Sequence, residues 1–218
     1  MSNYINIARR IAKIILSPDS AIGLMHGVLS VPKDLGYLVY GYLDTDSRYL
    51  RETEHIRMAK AIRYGILQNH NFVKTIETVL GIFNKYVPKE KQESIYSRSM
   101  FSLAGRTAAN SYIFGKMASI IAQRTAFLVT LQGGAAGNIL LIGGMAERSV
   151  YTSRSLQRKN PEIYYALYPR NYDLLYFLIE PALEPFVEAL QVRRNHGDAA
   201  FNKIIDMVEN ELKTKRAA

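Results

Sequence analysis

The sequence predicts an all-α fold, a single-domain, multi-helix bundle of about 8–11 helices over residues 1–218, built around a central apolar, glycine-interrupted helical hairpin. Three observations carry this. Apolar residues recur at three- and four-residue spacing along most of the chain. No alternating run or two-residue hairpin signal marks a strand. The interruptions are helix punctuation: Ser17-Pro18-Asp19, Asn69-His70-Asn71, Asn160-Pro161-Glu162 and His196-Gly197-Asp198.

The first helix follows from Tyr4, Ile7, Ala8, Ile11, Ile14 and Ile15 on one face, with Asn3, Asn6, Arg9, Arg10 and Lys13 opposite. It makes residues 1–16 a basic amphipathic arm. Ser17 caps a second helix that has Pro18 at its first position and runs towards Val28. Ser30-Val31-Pro32 breaks the chain before the apolar segment 34–43. Thr45 and Asp46 cap a helix that continues through Ile56, Ala59, Ile62, Arg63 and Ile66 and ends at Asn69-His70-Asn71. The helix from Asn71 to about Tyr86 offers Phe72, Val73, Ile76, Val79, Leu80 and Phe83 inward. Pro88 starts the next, with a wet first turn of lysines and glutamates. Helical spacing then continues from Ser94 to about Leu131, with a break expected at Gly105. Asn160 is the expected cap of a short helix that Pro169 ends, and Tyr172 to Ile179 form another. Pro181 and Pro185 are expected to start or kink the following helix. Arg193, Arg194 and His196 before Gly197 read as a helix end, after which Asp198 caps a last helix with Phe201, Ile204, Ile205, Val208 and Leu212 inward.

Composition narrows the classes. The chain has 48% hydrophobic and 22% charged residues, a globular balance. It has no cysteine, which excludes disulfides, thiolate nucleophiles and sulfur-ligated zinc. The absence of a disulfide framework fits synthesis in a reducing cytoplasm and is equally compatible with later export or membrane association. Lys13 and Ser17-Pro18-Asp19 leave no apolar region of ordinary signal-peptide length, so no cleavable signal is expected. A net charge of +9 favours anionic partners: nucleic acid, an anionic membrane surface or an acidic protein.

Residues 125–146 carry no charge over 22 positions, about the length that spans a bilayer. No Asp or Glu lies between Glu93 and Glu147. Arg124 precedes the stretch, and Arg148, Arg154, Arg158, Lys159 and Arg170 follow it. These six are the candidate contacts to an anionic surface or to nucleic acid. Gly133, Gly134, Ala135, Ala136 and Gly137 read as a turn between two apolar arms. The membrane-insertion candidates are Phe127, Leu128, Val129, Leu131, Gly133, Gly134, Gly137, Ile139, Leu140, Leu141 and Ile142. In overall plan this is similar to pore-forming colicin domains, basic all-α bundles that hide an apolar hairpin. No residue motif is shared, and Thr130, Gln132 and Asn138 are costly in hydrocarbon. The competing reading is a buried helix–turn–helix in the bundle's centre.

Catalytic signatures are missing. The four histidines form no HExxH, HxH or His-x3-His pair, so no metal is expected, and GGAAGN at 133–138 matches no phosphate-binding loop. His196-Gly197-Asp198 is better explained as a helix stop and cap than as an acid–base pair. No cofactor is implied. Residues 149–172 mix Arg154, Arg158, Lys159 and Arg170 with Tyr151, Tyr164, Tyr165, Tyr168 and Tyr172, a pattern that suits single-stranded nucleic acid. Glu180, Glu184 and Glu188 form an acidic ridge at i, i+4 and i+8, the candidate protein contact.

The first functional expectation is therefore a non-enzymatic, membrane-active bacterial toxin or effector domain, pore-forming or depolarising, that inserts residues 125–146 into an anionic bilayer, aided by the basic arm. The second is a helical protein-interaction module, such as an immunity, adaptor or chaperone-like protein. The third is a nucleic-acid-binding effector using residues 149–172.

Overall fold

A computed structural model of the chain describes residues 2–17, 48–96 and 135–217, together with Tyr37, Leu43, Asp44, Asp46 and Ser119. The described residues form helices throughout and no strand, so the fold is all-α. The helices are α1 (Ser2–Leu16), α2 (Arg48–Arg63), α3 (Asn69–Tyr86), α4 (Lys89–Tyr96), α5 (Ala135–Lys159), α6 (Pro161–Leu167), α7 (Tyr176–His196) and α8 (Asp198–Ala217). Two 3-10 turns, Tyr168–Arg170 and Tyr172–Leu174, link α6 to α7.

The core gathers round α7, which packs against α1, α3, α5 and α8. Of the stripe expected on α1, Ile7, Ala8, Ile11, Ile14 and Ile15 are buried against α7 and α8, Tyr4 is partly buried, and Ala12 joins them. So are Phe72, Ile76, Val79, Leu80 and Phe83 of α3, and Phe201, Ile204, Ile205, Val208 and Leu212 of α8. Each large side chain among them contributes roughly 1.5–3 kcal/mol relative to exposure. The Phe83 ring meets Phe186 edge-on at 5.1 Å and Phe201 at 5.6 Å, which joins α3, α7 and α8.

Several elements differ from the sequence expectation. Pro181 and Pro185 neither start nor end a helix; both lie inside the 21-residue α7. Each removes one backbone donor. Burial of Phe177, Leu178, Ile179, Ala182, Leu183 and Phe186 around them holds the helix together. Asn160 does not cap α6 with its side chain. Its buried amide donates to the Val187 carbonyl at 3.1 Å and so ties the α5–α6 junction to α7. Helix α2 also ends earlier than expected, at Arg63, and Ile66 lies beyond it, buried past the turn at Gly65. Ile56 is 57% exposed and Ile62 43%, while Arg51 and Ala61 are buried. Gly197 (φ 83°) stops α7 as read, its N–H donating to the Arg193 carbonyl at 2.8 Å.

Ala135, Ala136 and Gly137, read as part of a glycine turn, belong instead to the first turn of α5. Gly133, Gly134, Phe127, Leu128, Val129, Leu131 and Arg124 lie outside the described residues, as do the helix expected from Pro18 and the Gly105 break. Gly137, Ile139, Leu140, Leu141 and Ile142 have a described helical backbone. Among the described residues, no helix is long and apolar enough to cross a membrane.

Candidate functional site: a cationic cleft at the end of α2

The face that α2 turns inward is charged. Arg51, 6% exposed, donates from Nη1 to the Tyr151 hydroxyl at 3.1 Å and pairs with Asp44 at 3.1 Å. Glu147 of α5 lies 3.6 Å from Arg51 Nε and 3.4 Å from His55 Nε2. Two turns along α2, Arg57 makes a fork to Asp173, with Nη1 to Oδ1 at 2.9 Å and Nη2 to Oδ2 at 2.6 Å. Its Nε donates to Glu54 at 2.8 Å. Asp173 is completely buried and accepts a third bond from Ser153 Oγ at 2.6 Å. Burial alone would lower the Arg57 pKa; the hydrogen bonds and charges of Asp173 and Glu54 outweigh it and raise the pKa above its ordinary value. Arg57 is therefore a permanent cation in a fixed orientation, with its guanidinium 4.5 Å from the centre of the Tyr168 ring.

In front of Arg57 opens a cleft of about 430 Å³. The end of α2 and the turn after it supply Arg57, Lys60 and Tyr64; the start of α3 supplies Asn71; the 3-10 turns supply Arg170, Asn171 and Tyr172. Its walls are locked. Asn71 Nδ2 donates to the carbonyls of Gly65 and Ile66, both at 3.1 Å, and its Oδ1 accepts from the Tyr172 hydroxyl at 3.0 Å. Gly65 (φ 80°) allows the sharp turn, and a Cβ there would also meet the Gln68 side chain at 2.8 Å. Asn171 is left-handed (φ 60°), a conformation asparagine tolerates better than most residues. Its N–H donates to the Tyr168 carbonyl at 3.0 Å, and its Oδ1 accepts from Arg57 at 3.2 Å.

Among the described residues, no acidic side chain lines this cleft. Arg57 is matched from behind by Asp173 and Glu54, whereas Lys60 and Arg170 make no ion pair with any described residue. The α3 N-terminus has no acid in its first turn and no side-chain cap, so the positive end of its dipole adds to the same field. Three tyrosines stand out nearby: Tyr64 at 84% exposure, Tyr165 at 62% and Tyr168 at 39%. Tyr165 and Tyr168 each lie 5.2 Å from the ring of the buried Tyr164. Burial first, then the charge of Asp173, pushes the Tyr164 phenol up to about 12.

Among the sequence candidates, the structure brings Arg170 to this cleft and sets Tyr168 against Arg57, which lines it, but does not bring Arg154, Arg158 or Lys159 there. Arg158 and Lys159 are exposed at the end of α5, where Arg194 donates to their carbonyls at 3.1 and 3.2 Å. Arg148 is not a surface contact at all. It is 1% exposed, 5.6 Å from the Phe177 ring, because its position on α5 faces α7. Tyr164 and Tyr172 are buried rather than available for stacking. The acidic ridge already has a partner within the chain. Arg10 of α1 donates to Glu184 and, at 3.0 Å, to Glu188. With Tyr176 and Lys159 the three glutamates line a cavity of about 90 Å³. The basic arm likewise turns its apolar face into the core rather than towards a bilayer.

Sequence reasoning missed Arg57, Lys60 and Tyr64. Their i, i+3, i+7 spacing puts all three on one helix face, but the same pattern describes an ordinary wet face. Among the described residues no group of three or more histidines and carboxylates could hold a metal ion. Fold and site together define an all-α bundle with a preformed cationic cleft, lined by no acid among the described residues. The chain matches no protein-family model, no curated protein and no solved structure.

Proposed function

We propose that this protein is a binding module that engages an anionic partner through the cleft between α2 and the 3-10 turns. One observation carries the reading. Arg57 and Lys60 converge with Arg170, from a distant part of the chain, on a cavity that no described acidic residue lines. A concave site of one sign focuses potential and raises the local concentration of counter-charged ligand. The cavity lies within the ~300–1,000 Å³ usual for binding sites, at about 430 Å³. Reversing Lys60 and Arg170 together (K60E/R170E) should lower affinity for a polyanion such as heparin by about tenfold or more, judged from the cost of a few lost charge contacts. The control K203E/K215E changes the net charge equally on exposed lysines of α8. Equal losses in the two variants would reduce the reading to a general effect of the basic pI.

A second reading keeps residues 125–146 as a membrane-active hairpin. Its support is their complete lack of charge and the exposed Arg158 and Lys159 at the far end of α5. It ranks second because two of its expected helpers, Arg148 and the apolar face of α1, belong to the folded core. Dye release from anionic liposomes, abolished by Leu140→Asp in a variant that still folds, is its signature. Intact vesicles at neutral and mildly acidic pH would remove it.

A further inference from the structure

We infer that the anionic partner is a single-stranded nucleic acid, held by phosphate contacts to Lys60 and Arg170 and by base stacking on Tyr64 and Tyr168. The inference rests on the proposed anionic reading and adds the class of ligand. Its starting point is the tyrosines, which the charges alone do not explain. Tyr64 is 84% exposed yet lines the cleft, so its ring does little for the core. The backbone around it is fixed all the same. The Tyr64 N–H donates to the Lys60 carbonyl at 3.0 Å, the Gly65 N–H to the Ile62 carbonyl at 3.0 Å, and Asn71 holds the Gly65 and Ile66 carbonyls. A flat ring on a rigid turn beside cations is a stacking platform with little ordering entropy left to lose on binding. Tyr168 is held in the same way, with Arg57 over its ring and Tyr164 beside it.

The alternatives fit less well. An acidic peptide would use Lys60 and Arg170 but has no use for exposed phenol rings. A duplex presents phosphates but hides its base faces within the stack, and a cavity of about 430 Å³ does not admit it. A single strand supplies both groups together, and every base has a π-face, so the recognition tolerates sequence.

The test is fluorescence anisotropy with the full chain against a labelled oligothymidine, the same length of duplex, and heparin. The expected result is tighter binding of the single strand than of the duplex. Tyr64→Ala should weaken oligothymidine binding about tenfold and leave heparin binding within about twofold, while Tyr64→Phe retains the stacking face and the affinity. Lys60→Ala and Arg170→Ala should each lower the salt slope by about one. Circular dichroism of each variant checks the fold, and Tyr64, being exposed, is a safe position to change. Heparin and oligothymidine bound alike, with Tyr64→Ala neutral for both, would overturn the nucleic-acid inference and leave the anionic reading standing. Binding of no polyanion that depends on Lys60 and Arg170 would end both.

Discussion

Asp173 shows what a single residue commits the fold to. A completely buried carboxylate is tolerated here because Arg57 and Ser153 supply three short hydrogen bonds. Removing one partner is the costly change. Arg57→Ala should destabilise the protein by about 3–5 kcal/mol, read as a lower urea midpoint, because it strands the charge. Adding Asp173→Asn should recover part of that loss, and no recovery would mean that the pair is not coupled. Glu209 of α8 is the acid-sensitive counterpart. Hydrogen bonds from Lys213, Lys91 and Ser94 hold its pKa at about 2, below the ordinary 4.5. A depressed carboxylate stabilises fully above its unfolded pKa, and that stability is lost as pH falls from about 4.5 towards 2. Glu209→Gln should flatten the stability profile in that window and cost about 1–2 kcal/mol at neutral pH. An unchanged acid limb in urea titrations at successive pH values would refute this.

Among the helices, α2 differs in how it is held. Its buried residues are Arg51 and Ala61, and it meets α5 and the 3-10 turns through Arg51, His55 and Arg57. Few apolar contacts mean a low local opening free energy. Amide exchange in α2 should therefore run faster than in α7 or α8, and about 1 M salt, with a Debye length of ~3 Å, should speed it further. Equal protection of α2 and α8 would contradict this. The same difference explains what the sequence revealed. Apolar stripes at three- and four-residue spacing made α1, α3 and α8 legible, because in those helices hydrophobic burial decides the inward face. In α2 an ionic contact decides it, so Ile56 and Ile62 stay exposed and the apolar spacing does not mark the inward face. Local proline rules misplaced the start of α7, since packing on four neighbours outweighs two lost donors. One wall of the cleft, with Arg170 and Tyr172, fell within the basic-aromatic run at 149–172. The other wall, Arg57, Lys60 and Tyr64, depends on a tertiary approach that no short-range pattern encodes.

For the molecule as a whole, the acids are placed where helices meet. Glu184 and Glu188 hold Arg10, Glu211 holds Arg9 at 3.0 Å, Glu162 holds Lys85 at 3.1 Å, and Asp206 with Glu209 holds Lys91. With 28 basic against 19 acidic residues, pairing acids at helix junctions leaves a surplus of cations, and Lys60 and Arg170 of the cleft belong to it. The α1 junctions have a further consequence for cooperativity. Helix α1 starts the chain and packs on α7 and α8, which end it, so the two extremities of the sequence close one core. If that closure makes the protein one cooperative unit, Ile11→Ala, at a position with no exposure, should cost about 2–4 kcal/mol. The cost should shift the urea midpoint equally by far-ultraviolet circular dichroism and by tyrosine fluorescence, because two-state unfolding leaves no probe behind. A dichroism transition that moves while the tyrosine signal stays put would instead show α1 melting from a body that stands without it. In that case the Arg10 contacts to Glu184 and Glu188 would be a detachable clasp rather than part of the core.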